Sequence, residues 1–406
     1  MTNAVAKAQA GDTILVEGGT YALTKGLVIS AGITIRGGML KGALSETINL
    51  ENSASTLNGR NTVQPIRLSN SSKVKFERID LTQGKPRNLS MSASGDVEFV
   101  GCLIRNSVKQ NGTSGQGGPA GGLFVGAIDE GGAYPELIFT DCVISNNSPA
   151  AVSANSRTAY GYGVSFKNFS KVFINGCSFI ANGVKDSPDA VRSGGGGSAI
   201  FTSSAPIVVN KTKFMGNQVV CGLYGTAQNT GVVRIMGSCD GSAFTNCAFV
   251  ANCEKSGSQA NATANDFMGG TIRIDSQNNS DKIDFVNCTF AYNACVGRNS
   301  PAGINVVKGA ANIINSIFFG SVTGQVNAAS IGKYVHVGSS GSASIINCMF
   351  ESEADISAVN ATSLSTHKLK FEDPLFVYSL SQSRGLEEYA GKGIMSDTAM
   401  TNITRA

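Results

Sequence analysis

The 406-residue sequence has no Trp, only two His and nine Pro, and charged residues make up just 15% of it. Each shortage excludes something. Few Pro, and Gly that does not recur at every third position, exclude a collagen-like chain. Low charge beside 42% hydrophobic residues excludes a disordered chain and leaves material for a sizeable core. No uninterrupted apolar run reaches about 18 residues, so no membrane-spanning helix is expected. The net charge of +4, without a Lys/Arg run interleaved with aromatics, gives no footprint for nucleic acid. Without Trp a sugar-stacking platform loses its usual residue, and two His do not make a His-rich metal site. Residues 1–10 (MTNAVAKAQA) lack the basic start and apolar core of a signal peptide.

What is abundant is Gly, 49 of 406 residues, or 12% against a usual level of about 7%. Rich in Gly but poor in charge and Pro, the chain reads as many strands joined by tight turns. The cysteines show how these strands are organised. Residues 99–106 (FVGCLIRN), 139–147 (FTDCVISNN), 174–182 (INGCSFIAN), 244–252 (FTNCAFVAN), 285–293 (FVNCTFAYN) and 345–350 (IINCMF) share one pattern: apolar-x-x-Cys-x-apolar-x-x-Asn. Further copies place Thr212, Ser316 and, earlier, Ile79 at the anchor. The anchors at 79, 102, 142, 177, 212, 247, 288, 316 and 348 are separated by 23, 40, 35, 35, 35, 41, 28 and 32 residues. Variable spacing around a constant motif puts insertions in loops and keeps the core register. Such a strand cannot bury its face alone, so copies must stack, about 4.8 Å apart. Cys102, Cys142, Cys177, Thr212, Cys247, Cys288, Ser316 and Cys348 then form one column in the core.

A second strand precedes each anchor: residues 163–166, 197–202, 231–235, 270–274, 303–306 and 333–337. Short strands in every repeat, with no helical stretch between, point to an all-β, single-stranded parallel β-helix. A WD-type propeller would show Trp-Asp signatures. In this setting residues 11–21 (GDTILVEGGTY) resemble the first coil of right-handed parallel β-helix proteins of the pectate-lyase-like superfamily. The FxxN and GG-x-I elements, as at 249–252 and 269–272, are similar to those of polymorphic outer-membrane proteins, and residues 373–377 (DPLFV) to the end of secreted bacterial β-helix repeats. The resemblance covers roughly residues 1–377. It implies a right-handed solenoid with a short capping helix over residues 3–10, a tail over 378–406, and an extracellular or cell-surface location.

The remaining cysteines leave alternatives. Cys253 and Cys295 follow the Asn turns of neighbouring coils, where they either bridge or stay as two thiols; Cys221 and Cys239 fall in loops. No CxxC pair exists, so no zinc site or other metal is expected. The sequons at Asn111, Asn210, Asn261 and Asn287 are read as chance matches in a chain rich in Asn, Ser and Thr.

In a β-helix the usable surface is an outward row on one sheet, walled by long loops. Alternation along the second strands puts Ser165, Phe201, Arg234, Arg273, Asn305 and His336 in that row, with Lys308 and Lys333 extending it. Insertions at 107–134, 183–197, 218–231 and 256–269 emerge at one edge as walls, or as passive surface loops. Two Arg on adjacent rungs call for an anion beside them. That anion is either a carboxylate or sulfate of an acidic polysaccharide, held by bidentate guanidinium contacts, or an internal one from Asp275, Asp240 or Glu254. Hydrolases of this superfamily need paired Asp and calcium lyases clustered carboxylates; neither pattern is present. Lyases resembling the alginate and chondroitin type set a Lys base beside an Arg, where this chain has Arg234 and Arg273, and Arg is a poor base. The reading is therefore an adhesin or glycan-binding module with no cofactor, whose partner is a polysaccharide or the surface glycan of a host or neighbouring cell. A metal-independent polysaccharide lyase, or a catalytically degraded relative, is the alternative. A structural stalk or fibre unit is the third.

Overall fold

The computed structural model describes residues 1–39, 55–69, 72–85, 87–93, 95–109, 122–127, 135–149, 162–183, 196–221, 230–256, 269–296, 301–324 and 334–372. Every strand pairing among them is parallel, and each joins one coil to the next, as in Val143–Ser145 against Ser178–Ile180 against Lys213–Met215. The chain is a parallel β-helix, wound in the right-handed sense that parallel crossovers take.

Three ladders run its length. The first passes from Leu27–Ile29 to Ile356–Ala358 and contains the second strands expected from the sequence. The next contains the residues just before each anchor, and a twelve-stranded sheet contains those just after. The sequence pattern suggested one strand running through the anchor, but the chain turns there. The residue before each anchor (Gly101, Asp141, Gly176, Lys211, Asn246, Asn287, Asn315 and Asn347) has φ between +50° and +65°. Asn, Asp and Gly tolerate this left-handed conformation best. A second corner, at Asn146, Ala181, Gly216, Ala251, Tyr292 and Gly320, precedes each buried Asn or Ser. After it comes a fourth ladder that the sequence reading did not recognise: Gln218–Cys221, Cys253–Ser256, Ala294–Val296 and Val322–Gly324.

The core follows the repeat. All eight column residues from Cys102 to Cys348 are buried, with exposures of 0–2%. They are linked along the axis: the Cys142 N–H donates to Cys177 Sγ at 3.4 Å, and the Cys177 N–H to Thr212 Oγ1 at 3.3 Å. Two positions on, Phe179, Phe214, Phe249, Phe290, Phe318 and Phe350 stack face to face, with centroids 4.6–5.0 Å apart. The turn asparagines also form a column. Asn182 Nδ2 donates to Asn217 Oδ1 at 3.0 Å and to the Ile144 carbonyl at 2.8 Å, and its N–H reaches the same Oδ1 at 3.1 Å. Asn147, Asn217 and Asn252 repeat this pattern.

Cys253 and Cys295 do not bridge to each other; both remain buried thiols. Their strands pair Cys253 with Ala294 and Glu254 with Cys295, and this one-residue offset turns the two thiols to opposite faces. Cys239 lies in the connection between strands Thr230–Gly237 and Ser242–Thr245, as expected, and is a fully buried thiol there. The Cys221 side chain, Asn111 and Asn261 lie outside the described residues. So do Lys333, most of the four insertions, and residues 373–406 with the expected tail. At the other end the helix α1 spans Thr2–Lys7, shorter than expected, and Met1, Val5 and Ala8 pack against the core.

Candidate functional site

The first ladder places the predicted row in register. Ser165 pairs with Phe201, Phe201 with Arg234, Arg234 with Arg273, Arg273 with Asn305, Asn305 with His336, and His336 with Ser357. Alternation is the reason: Val233/Ile235, Ile272/Ile274, Ile304/Val306 and Val335/Val337 fill the core on either side. Exposure differs from what the sequence suggested. Phe201, Arg234, Arg273, Asn305 and His336 are all buried, at no more than 6% exposed. Strands Gln218–Cys221 and Cys253–Ser256 of the fourth ladder lie against Thr230–Gly237, flanking the row.

Burial makes the electrostatics of the row matter. The Arg234 guanidinium lies 5.7 Å from the Phe201 ring centroid, within cation–π range. Asp275, two positions beyond Arg273 on the same strand, bridges both arginines, at 3.6 Å from Arg234 and 3.7 Å from Arg273. These contacts are longer than the 2.7–2.9 Å typical of charge-assisted hydrogen bonds, and the Asp275 side chain keeps 26% exposure. Burial, with Arg234 adding to it, holds Arg273 down to about 10 although Asp275 and Glu254 act the other way. The buried Glu254 accepts from the Gly270 N–H at 2.8 Å and from the Cys295 thiol at 2.9 Å. The internal neutralisation named from the sequence is therefore present through Asp275 and Glu254. Asp240 is not part of it; its carboxylate accepts from the Lys282 N–H on the next coil.

Burial also holds His336 down to about 4, so its imidazole is neutral at ordinary pH; Nδ1 lies 2.8 Å from Ser357 Oγ. Asn305 Nδ2 donates to the Gly269 carbonyl at 2.7 Å. Lys308 is half-buried and in register with Asp275, in a second outward row that runs Lys167, Ser203, Met236, Asp275, Lys308. Sequence reasoning named Glu254 as a counter-charge only from its nearness along the chain; the fourth ladder that brings it beside Arg273 was not recognised. Among the described residues no group of three or more His, Cys, Asp and Glu gathers as a metal site.

No protein-family model matches the chain. No curated protein matches it either. Among solved structures it is similar to a mannuronic acid specific polysaccharide family 6 lyase from human gut microbiota. The identity is 11%, with 98% of this chain and 89% of that one covered and a TM-score of 0.31. It is also similar to a family 6 polysaccharide lyase of Pseudopedobacter saltans, at 12% identity with 95% and 93% covered and a TM-score of 0.30. Superpositions this loose transfer none of either enzyme's chemistry to this chain.

Proposed function

We propose that the protein is an extracellular or cell-surface glycan-binding β-helix that holds an acidic polysaccharide along the first ladder. The observation that carries this is the arginine pair. Arg234 and Arg273 sit on adjacent rungs and share one long contact to a partly exposed carboxylate, Asp275. A polymer carboxylate or sulfate arriving beside Asp275 would meet two forked donors behind it, with Lys308 on the next rung adding charge. The test is retention on acidic-glycan affinity gels of wild type and of Arg234→Lys plus Arg273→Lys. That variant keeps both charges, and so the pairing with Asp275, but removes the fork. A fall of about tenfold or more in affinity at an unchanged melting temperature is expected; undiminished retention ends the proposal.

One observation favours the lyase reading. His336 is an unprotonated imidazole two rungs from Arg273, placed to accept a proton from a sugar whose carboxylate is neutralised. A base held near 4 is a weak one at neutral pH, so binding is preferred over elimination. Appearance of unsaturated uronate products in a polymer panel would reverse that order.

A further inference from the structure

Asn305 stands between Arg273 and His336 on the first ladder, and its side chain is fully buried. Its orientation is fixed by chemistry. The Gly269 carbonyl only accepts, so the amide must turn Nδ2 towards it, at 2.7 Å. That leaves Oδ1 on the other side, and among the described residues Oδ1 has no hydrogen-bond partner. A buried carbonyl-type acceptor left unmade is destabilising, and replacing Asn305 by an apolar residue would avoid it. The cradle round it is specific too. A Cβ on Gly269 would fall 1.8 Å from the Glu254 carboxylate, and one on Gly270, at φ +146°, would lie 3.3 Å from the Asn305 Cβ. Beside this point the strand pairing slips by a residue on two successive rungs, at Val307 and again at Gly338–Ser339. Bulges of this kind re-aim side chains next to binding sites.

Resting on the acidic-glycan reading above, we infer that Asn305 determines specificity: its Oδ1 accepts a hydrogen bond from a free hydroxyl of the bound sugar. The acid group of that sugar, or of its neighbour, lies on Arg273 one rung away. The ligand class is then narrower than any polyanion. It is a hydroxylated acidic polymer, such as a polyuronate, whose secondary hydroxyls are unmodified. O-acetylation removes the donor, so an acetylated polymer of equal charge binds more weakly. A sulfated polymer with few free hydroxyls fails for the same reason. Gripping charge and reading a hydroxyl are separate tasks, done by separate residues.

The experiment compares one sodium polyuronate with the same polymer O-acetylated at its secondary hydroxyls, and uses a neutral glucan as control. Binding is measured by calorimetry on the full chain. Wild type is expected to prefer the unmodified polymer by about tenfold, the size of one buried hydrogen bond. Asn305→Ala is expected to bind both polymers equally, at the weaker level. Thermal melting checks that the variant folds, and the wild-type comparison needs no variant at all. Equal wild-type affinity for the two polymers overturns the hydroxyl inference and leaves the acidic-glycan reading standing, as does an Asn305→Ala protein that keeps the preference. Binding of neither polymer overturns both, and is distinguished by the absence of any heat above the glucan control.

Discussion

The asparagine column and the arginine row belong to the same coils and face the same difficulty, polar side chains held out of water. In the column every amide is identical to its neighbours and each donor and acceptor is matched on adjacent rungs. The row changes residue type at every rung but one, where it sets two like charges side by side, and it draws its counter-charge from Asp275 and Glu254 rather than from itself. Uniform repetition is what a scaffold needs. A row of Phe, Arg, Arg, Asn and His is expected to contribute less to folding than the same length of the column.

Substitutions at matched depth test that contrast. The largest effect is expected for Asn217→Ala, which strands the Phe179 carbonyl and the Asn182 N–H and Nδ2 together. Urea unfolding should show a loss of about 4 kcal/mol; a loss below about 1 kcal/mol would show that the column is dispensable. Next is pH. His336 titrates near 4 when folded but near 6.5 when unfolded, so the unfolded chain binds the extra proton between those values. Stability from this group is complete above about pH 6.5 and falls by up to about 3 kcal/mol as pH drops through 4. His336→Gln should flatten that part of the profile, while other carboxylates keep their own slope in both proteins. Arg273→Met is expected to cost about 2 kcal/mol, less than loss of a buried ion-pair partner usually does, because Arg234 still faces Asp275. A cost above 4 kcal/mol would place the row with the scaffold. Smallest is Cys247→Thr, expected within about 1 kcal/mol because Thr212 already occupies the same column position.

The sequence announced the stacking because identical residues recur at anchor −3, 0 and +2. It announced the corner less openly. The step from −3 to 0 is three residues, which breaks the two-residue period of a strand, and that break is the left-handed residue at −1, such as Asp141 or Asn246. The first-ladder row was legible from Ser165 to His336 because Val233/Ile235 and their counterparts fix the alternation, whereas Lys308, read as its extension, falls in the neighbouring row with Asp275. Its burial was not. A strand as short as Ala294–Val296 carries too little pattern to separate from a loop, and the fourth ladder it belongs to is what brings Glu254 beside Arg273. That Cys253 and Cys295 do not bridge likewise depends on a one-residue offset that spacing along the chain does not reveal.

Three successive anchor steps of 35 residues, from Cys142 to Cys247, leave equal segments whose ends meet equivalent partners. A duplicate of residues 177–211, cut at the anchor, would find a phenylalanine above and below its own and the same amide to bond. The molecule can therefore be lengthened in whole turns without new interior chemistry, and each added turn would move the arginine row one step further from the N-terminal helix while leaving its own neighbours unchanged.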